Sequence, residues 1–229
     1  MRVKYYFDIE ITEKNTLKIG NKEFIPSIRK ISDLSPVLMN PVQSENPAYF
    51  MYRNIYLDEH KDLFERNRIR FDITILLPLI IGKEYNKTFG HYHPKSNGFS
   101  YPEIYEVIKG RAIFILQSET FDRVFLIYAK EGDQVFIFPN YGHVTVNIGN
   151  EPLILSNLVY SDFQSDYSVY REKRGAMVYI TTEGFIKNPN YNTNFEIVEL
   201  RAKKLFRELY LEYIEHPEDF NFLKGMNIK

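Results

Sequence analysis

The sequence predicts a mostly β fold, an antiparallel sandwich or barrel followed by one C-terminal amphipathic helix, and three observations predict it. Aromatic residues make up 16% of the chain, all of them Tyr and Phe, which favour sheet-rich domains with aromatic-lined cavities over helical bundles. Short runs of β-formers recur between Tyr49 and Tyr179 with no long helical pattern between them. After Asn188 the period changes, and Ile197, Leu200, Leu205, Leu209 and Tyr213 follow at helical intervals.

In chain order, Tyr5 to Ile11 has a strand-like alternation, and Glu13-Lys14-Asn15-Thr16 turns it into a second short strand at Leu17 to Ile19; both are edge elements. From Ile31 to Pro47 three prolines and the Ser32-Asp33 pair predict a short helix and an irregular crossing. The β runs are Tyr49 to Leu57, Ile69 to Leu77, Phe89 to His93, Ile104 to Ile108, Ala112 to Gln117, Arg123 to Tyr128, Gln134 to Phe138, His143 to Asn147 and Leu153 to Val159. Lys109-Gly110-Arg111 and Glu131-Gly132-Asp133 are turns between them, with Gly110 where a tight hairpin requires a positive φ. Thr193-Asn194-Phe195-Glu196 has capping-box spacing, so the helix is expected to run from Phe195 to His216, about five or six turns, up to the breaker Pro217. The domain reading is therefore a β-barrel over residues 1–189 with N-terminal edge strands, and a helical extension over 190–229 packed on the barrel or on a dimer interface.

Charge and composition narrow the function. With 29 basic and 30 acidic side chains the net charge is −1, so no overall positive field holds nucleic acid or an anionic membrane, and an anionic ligand must be met locally. Zero cysteines exclude disulfides, thiolate metal sites and thiol nucleophiles, leaving His and carboxylates as metal ligands. The most apolar run, Ile73 to Ile81, carries Thr74 and Pro78 and is far short of the roughly 20 residues a membrane span needs. The N-terminal MRVKYYFDIEITEK lacks the apolar core and cleavage site of a secretory signal, and a cytoplasmic location is the expectation.

Five histidines stand at positions 60, 91, 93, 143 and 216. His91 and His93 are two apart, so on an extended segment both imidazoles project to one face, as two ligands to one metal ion require. Neutral imidazole binds divalent first-row metals well, and Glu103 and His143 are candidates for the third and fourth ligands. Glu106, three positions past Glu103, has the opposite strand parity and is expected to point away from the ion. His60, flanked by Glu59 and Lys61, is expected to be solvent-exposed, His216 to sit as a charge at a helix C-terminus, and Asn147 to stabilise a turn.

The string GHYHPKSNGFSYPEIYEVIKG, followed by GDQVFIFPNYGHVTVN, resembles the two sequence motifs of the cupin superfamily. The first motif has HxH, a Glu, six residues and a Gly, matched by His91, His93, Glu103 and Gly110; the second is matched by Gly132, Pro139, His143 and Asn147. One departure is that nine residues separate His93 from Glu103 where three or four are usual, so Ser96 to Pro102 is expected to bulge at the barrel mouth. Within the superfamily, TFGHYHPK, PEIYEV, IRKISDL, PAYFMYR, VNIGNEPLIL and the Asp166-Tyr167 pair resemble the archaeal-type glucose-6-phosphate isomerases over roughly residues 24 to 187.

That resemblance implies a metal-dependent interconversion of glucose 6-phosphate and fructose 6-phosphate, a step of glycolysis and gluconeogenesis. It implies a homodimer and one divalent ion per subunit, iron, zinc, manganese or nickel. It implies His91, His93, Glu103 and His143 as ligands, Thr74, Thr88 and the backbone of Gly90 as the sugar-phosphate site, and Tyr49 or Tyr52, Tyr105, Tyr160 and Tyr167 as active-site tyrosines. Glu103, Tyr105 and Tyr167 are the candidate catalytic groups, and Lys95 is a plausible cation for the phosphate. Ser165 stands where the family often has a His before the Asp-Tyr pair. The chemistry accords: aldose–ketose isomerisation moves a hydrogen between C2 and C1, and a divalent ion on their oxygens stabilises an enediolate or polarises the carbonyl for a hydride shift. The competing expectations are a mannose-phosphate isomerase, a metal-dependent dioxygenase, or a cupin that binds metal or sugar phosphate without turnover.

Overall fold

The computed structural model describes residues 1–225. Ten strands form the expected barrel of two sheets: β1 (Ser27–Lys30), β2 (Pro47–Tyr52), β3 (Ile69–Leu76), β4 (Glu103–Lys109) and β5 (Arg111–Ser118), then β6 (Arg123–Lys130), β7 (Gln134–Ile137), β8 (Tyr141–Asn147), β9 (Leu153–Tyr160) and β10 (Glu196–Arg201). One sheet runs β7-β4-β9-β3-β2-β1 and the other β8-β5-β6-β10, all pairs antiparallel except β6 with β10. Gly110 takes φ 98° in the hairpin between β4 and β5, as its position predicts.

The central strands of the six-stranded sheet are buried on both faces, which is why they read as nearly continuous hydrophobic runs. Along β3 the even positions, Arg70, Asp72, Thr74 and Leu76, face the barrel interior, and the odd ones, Ile69, Phe71, Ile73 and Ile75, enter a second core. That outer core joins the sheet to an N-terminal four-stranded meander through Ile9, Ile11, Leu17 and Ile19. A helix at Lys61–Asn67, which the sequence reading passed over, contributes Phe64 to it. The short helix expected after Ile31 is present at Ile31–Leu34.

The tail departs from expectation. Residues 196–201 do not start a helix; they form β10, and Arg123 and Tyr128 of β6 bind Glu196 and Glu199 across the parallel ladder. The helical spacing of Ile197 and Leu200 lost to the exposed backbone edge of β6, whose pairing yields a ladder of hydrogen bonds that an isolated two-turn segment cannot match. A C-terminal helix does follow, shortened to Leu209–Glu215, with Leu209, Tyr210 and Tyr213 fully buried in the outer core. His216 caps it and is exposed, as expected. The last four residues of the expected extension lie outside the described residues.

Candidate metal and substrate site

The site lies between the two sheets, and three pairings assemble it. His91 and His143 exchange backbone hydrogen bonds at 3.3 and 3.0 Å, so the His91–His93 segment lies along β8. Tyr92 and Asp166 exchange another pair at 2.9 and 2.8 Å, which brings Ser165 and Tyr167 in from the other side. Glu103 arrives from β4 of the opposite sheet.

One donor atom from each of His91, His93, Glu103 and His143 lies within 4.8 Å of the other three. His91 Nε2 and His93 Nε2 are 3.1 Å apart, and Glu103 Oε2 is 3.3 Å from Nε2 of both His93 and His143. Separations near 3 Å are those of neighbouring ligands about 2.1 Å from one ion.

Hydrogen bonding fixes which way these atoms face. His93 Nδ1 lies 2.8 Å from the Tyr101 carbonyl, which only accepts, so Nδ1 carries the proton and Nε2 of the neutral ring is bare. Asn157 Nδ2 donates to Glu103 Oε1 at 2.7 Å, leaving Oε2 aimed at the histidines, buried and without a hydrogen-bond partner. Lone pairs thus point at lone pairs, an arrangement that a cation at their focus reconciles. Burial drives His91 well below the usual imidazole range, and the neighbouring His143 and His93 add to the effect; burial also lowers His143. Burial raises the Glu103 carboxyl, while any N–H donated or charge carried by His143 and His93 lowers it below the usual carboxylate range. Neutral imidazoles beside a carboxylate are the protonation states metal binding requires. The donor set fits a divalent ion.

The cavity above this centre opens to solvent and is lined by Tyr49, Thr74, Thr88, Gly90, Tyr105 and Tyr167 among the expected residues. The Tyr105 hydroxyl stands 3.3 Å from His143 Nε2. Tyr49 donates no bond into the cavity; its hydroxyl accepts the Phe89 N–H at 3.3 Å, and the Thr88 hydroxyl accepts that of Thr145 at 2.9 Å. Asn147 stabilises the β8–β9 turn as expected, donating to the carbonyls of Leu76 and Glu151.

A family model described as glucose-6-phosphate isomerase matches residues 28–196. This chain belongs to that family. Glucose-6-phosphate isomerases of Pyrococcus furiosus (29% identical; 72% of this chain, 87% of the relative) and Thermococcus kodakarensis (30%; 72% and 86%) are similar to it. That of Thermococcus gammatolerans is 28% identical over 84% of this chain and all of its own length. Among solved structures, an oxalate decarboxylase–formate complex of Lactobacillus farciminis superposes with a TM-score of 0.40 at 23% identity, covering 52% of this chain and 30% of its own.

Three residues nominated from the sequence are not brought to the cavity. Tyr52 has the opposite parity to Tyr49 on β2, so its ring enters the outer core and its hydroxyl bonds the Asn15 carbonyl at 2.7 Å; the Tyr49 alternative is the one that lines the site. Lys95 reaches Glu119 at 2.7 Å on the outer surface. Tyr160 stacks on Tyr101 with centroids 5.0 Å apart and meets Arg68. Glu106 points away from the centre, as its parity predicts, and accepts from the Tyr5 hydroxyl at 2.6 Å and the Leu209 N–H at 2.9 Å. His60 is not simply solvated, since its Nδ1 is 3.0 Å from the Tyr210 hydroxyl.

The sequence reading missed Arg53, Arg70, Asp72, Asn157 and Phe163, all of which line the cavity. A signal existed for two of them: Arg70 and Asp72, with Thr74, alternate with apolar residues, a polar face inside a buried run.

Proposed function

We propose that this chain is an aldose–ketose isomerase that interconverts glucose 6-phosphate and fructose 6-phosphate with one divalent ion held by His91, His93, Glu103 and His143. The observation that carries the reading is the convergence of three imidazoles and the unpartnered Glu103 Oε2 under a cavity open to solvent, in a chain of this family. When bound, the ion supplies Lewis-acid stabilisation of charge on the oxygens of the reacting carbons.

The chain's own groups do the rest. Asn157 fixes the Glu103 carboxylate with Oε2 toward the centre, and in the enediol route that oxygen carries the proton between C1 and C2 while free of the ion or only loosely held by it. The Tyr105 hydroxyl, beside His143 Nε2, is placed to donate to a substrate oxygen, and burial together with the Glu103 charge holds that phenol protonated. The Tyr167 ring, 5.4 Å from His91, closes one wall and aligns the sugar. Thr74, Thr88 and the Gly90 N–H supply neutral donors for the phosphate.

A homodimer belongs to the same reading. Edge strand β1 exposes Ile28 at 52%, and Ile25 beside it is 78% exposed, an apolar edge that pairing across a twofold would cover. Among the described residues no helix is long and apolar enough to cross a membrane. Fructose 6-phosphate supplied to metal-loaded protein, with glucose 6-phosphate detected by a coupled dehydrogenase, tests the reading; binding without turnover would favour the non-enzymatic alternative.

A further inference from the structure

The proposed substrate ends in a dianionic phosphate, yet Thr74, Thr88 and Gly90 are neutral and Lys95 is turned away to Glu119. Among the described residues, Arg53 and Arg70 are the Lys or Arg side chains that line the cavity. Their situations differ. Arg70 is 21% exposed and its Nε donates to Asp72 Oδ2 at 2.7 Å, so it is committed to neutralising a carboxylate that is itself 6% exposed. Asp72 also accepts the Asn54 N–H at 3.0 Å.

Arg53 is 44% exposed, and its Nη1 meets Asp72 Oδ2 at a loose 3.4 Å. Its Nη2 rests 3.7 Å from the Met51 sulfur, a weak acceptor. Most of the five guanidinium donors therefore lack a strong partner. Met51 pairs with Thr74 across β2 and β3, so the Nη2 end of Arg53 reaches back to the level of Thr74, on the same interior face. The residues form one constellation: a carboxylate neutralised from one side by Arg70, and on the other a half-free fork beside a hydroxyl.

We propose that Arg53, steered over the cavity by Asp72, is the cation that clamps the substrate's phosphate, with Asp72 as a positioning residue. This rests on the sugar-phosphate reading above. The planar fork presents two parallel N–H groups to phosphate oxygens, a geometry a lysine ammonium does not reproduce.

The test compares wild type with Arg53→Met, Arg53→Lys, Asp72→Asn and the Arg53→Met/Asp72→Asn double variant, all metal-loaded. Arg53→Met is expected to raise the KM for fructose 6-phosphate roughly 10- to 100-fold, the loss that follows from removing a hydrogen bond between charged groups, with kcat changed far less and metal content unchanged. Arg53→Lys recovers only part of this. Asp72→Asn raises KM, but in the double variant adds little to the Arg53→Met effect; a merely structural role would make the two add. A KM for Arg53→Met within twofold of wild type overturns the assignment of Arg53 and leaves the isomerase reading standing. If wild type does not turn over fructose 6-phosphate, the isomerase reading falls, and calorimetric titration with inorganic phosphate decides the anion site separately. Phosphate binding lost in Arg53→Met upholds that site, and equal binding to both proteins rejects it.

Discussion

Glu103 and Glu106 are both buried carboxylates on β4, and parity alone gives them opposite employment. Glu103 faces the histidines; Glu106 faces the outer core and ties Tyr5 to the start of the C-terminal helix. Glu103→Gln is expected to fold normally and lose kcat by orders of magnitude, whereas Glu106→Gln, whose amide oxygen accepts the same two bonds, keeps its kcat. Burial raises the Glu106 carboxyl, so the folded state holds that proton more tightly than the unfolded chain does. Its contribution is therefore fully present below the unfolded carboxylate range and is lost as pH rises through the folded value. The melting temperature of Glu106→Gln relative to wild type should accordingly climb between acid and neutral pH, and a flat difference would refute the sign. His91→Ala, His93→Ala or His143→Ala should each release most bound metal, measured by elemental analysis. His60→Ala should keep its metal and lose only about 1 kcal/mol with its contact to Tyr210. The four candidate ligands were legible in sequence because His91, His93, Glu103 and His143 fall in two motifs of a recognisable family, whereas two imidazoles at spacing two are by themselves often only a polar surface patch. Arg53 and Asp72 were not, because nothing local says that an arginine just past one strand will meet a carboxylate 19 residues on.

At the scale of elements, the stretch from Ser96 to Pro102 bulges as expected and does so as an ordered hairpin. Lys95–Ser96 pairs with Phe99–Ser100 around Asn97 and Gly98, whose φ values of 54° and 85° are those of a type I′ turn. The hairpin delivers the Tyr101 carbonyl to His93 Nδ1. Gly98→Val, which disfavours that turn, should weaken metal affinity roughly 10-fold or more without touching a ligand, since partners that orient ligating imidazoles are typically worth 10–100-fold. Unchanged metal affinity in a variant whose hairpin has shifted would show that the carbonyl does not orient His93. The tail shows the opposite limit of sequence reading. Ile197, Leu200, Leu205 and Leu209 keep helical spacing, but the pattern spans a strand and a helix, because the first pair answers to the edge of β6 and Leu209 to the outer core. Leu209→Ala should cost about 2–5 kcal/mol, as for a fully buried leucine, while leaving metal content intact. Truncation after Pro189 removes both β10 and the helix, and should yield insoluble protein, a harsher outcome than the loss of a detachable scaffold.

Across the whole molecule, two cores share the six-stranded sheet: the inner one carries the site and the outer one ties both ends of the chain to its back. The strand succession and both motif halves were visible along the chain because each is local. The outer core was not, since it is built by contacts such as Tyr5 with Glu106 and Leu57 with Tyr210, separated by 101 and 153 residues. A metal that binds only the folded state should raise the melting temperature, and chelation should lower it by the same linkage. Light scattering at working concentration should return twice the chain mass, and a monomer would contradict the dimer. The central claim is that the four-residue centre is a metal site that drives isomerisation of a sugar phosphate. It is tested most directly by assaying fructose 6-phosphate conversion while divalent ion is titrated into chelated protein. The account predicts no conversion without metal and full rate at one equivalent per chain. Undiminished conversion in metal-free protein, or none after one equivalent has bound, would contradict it.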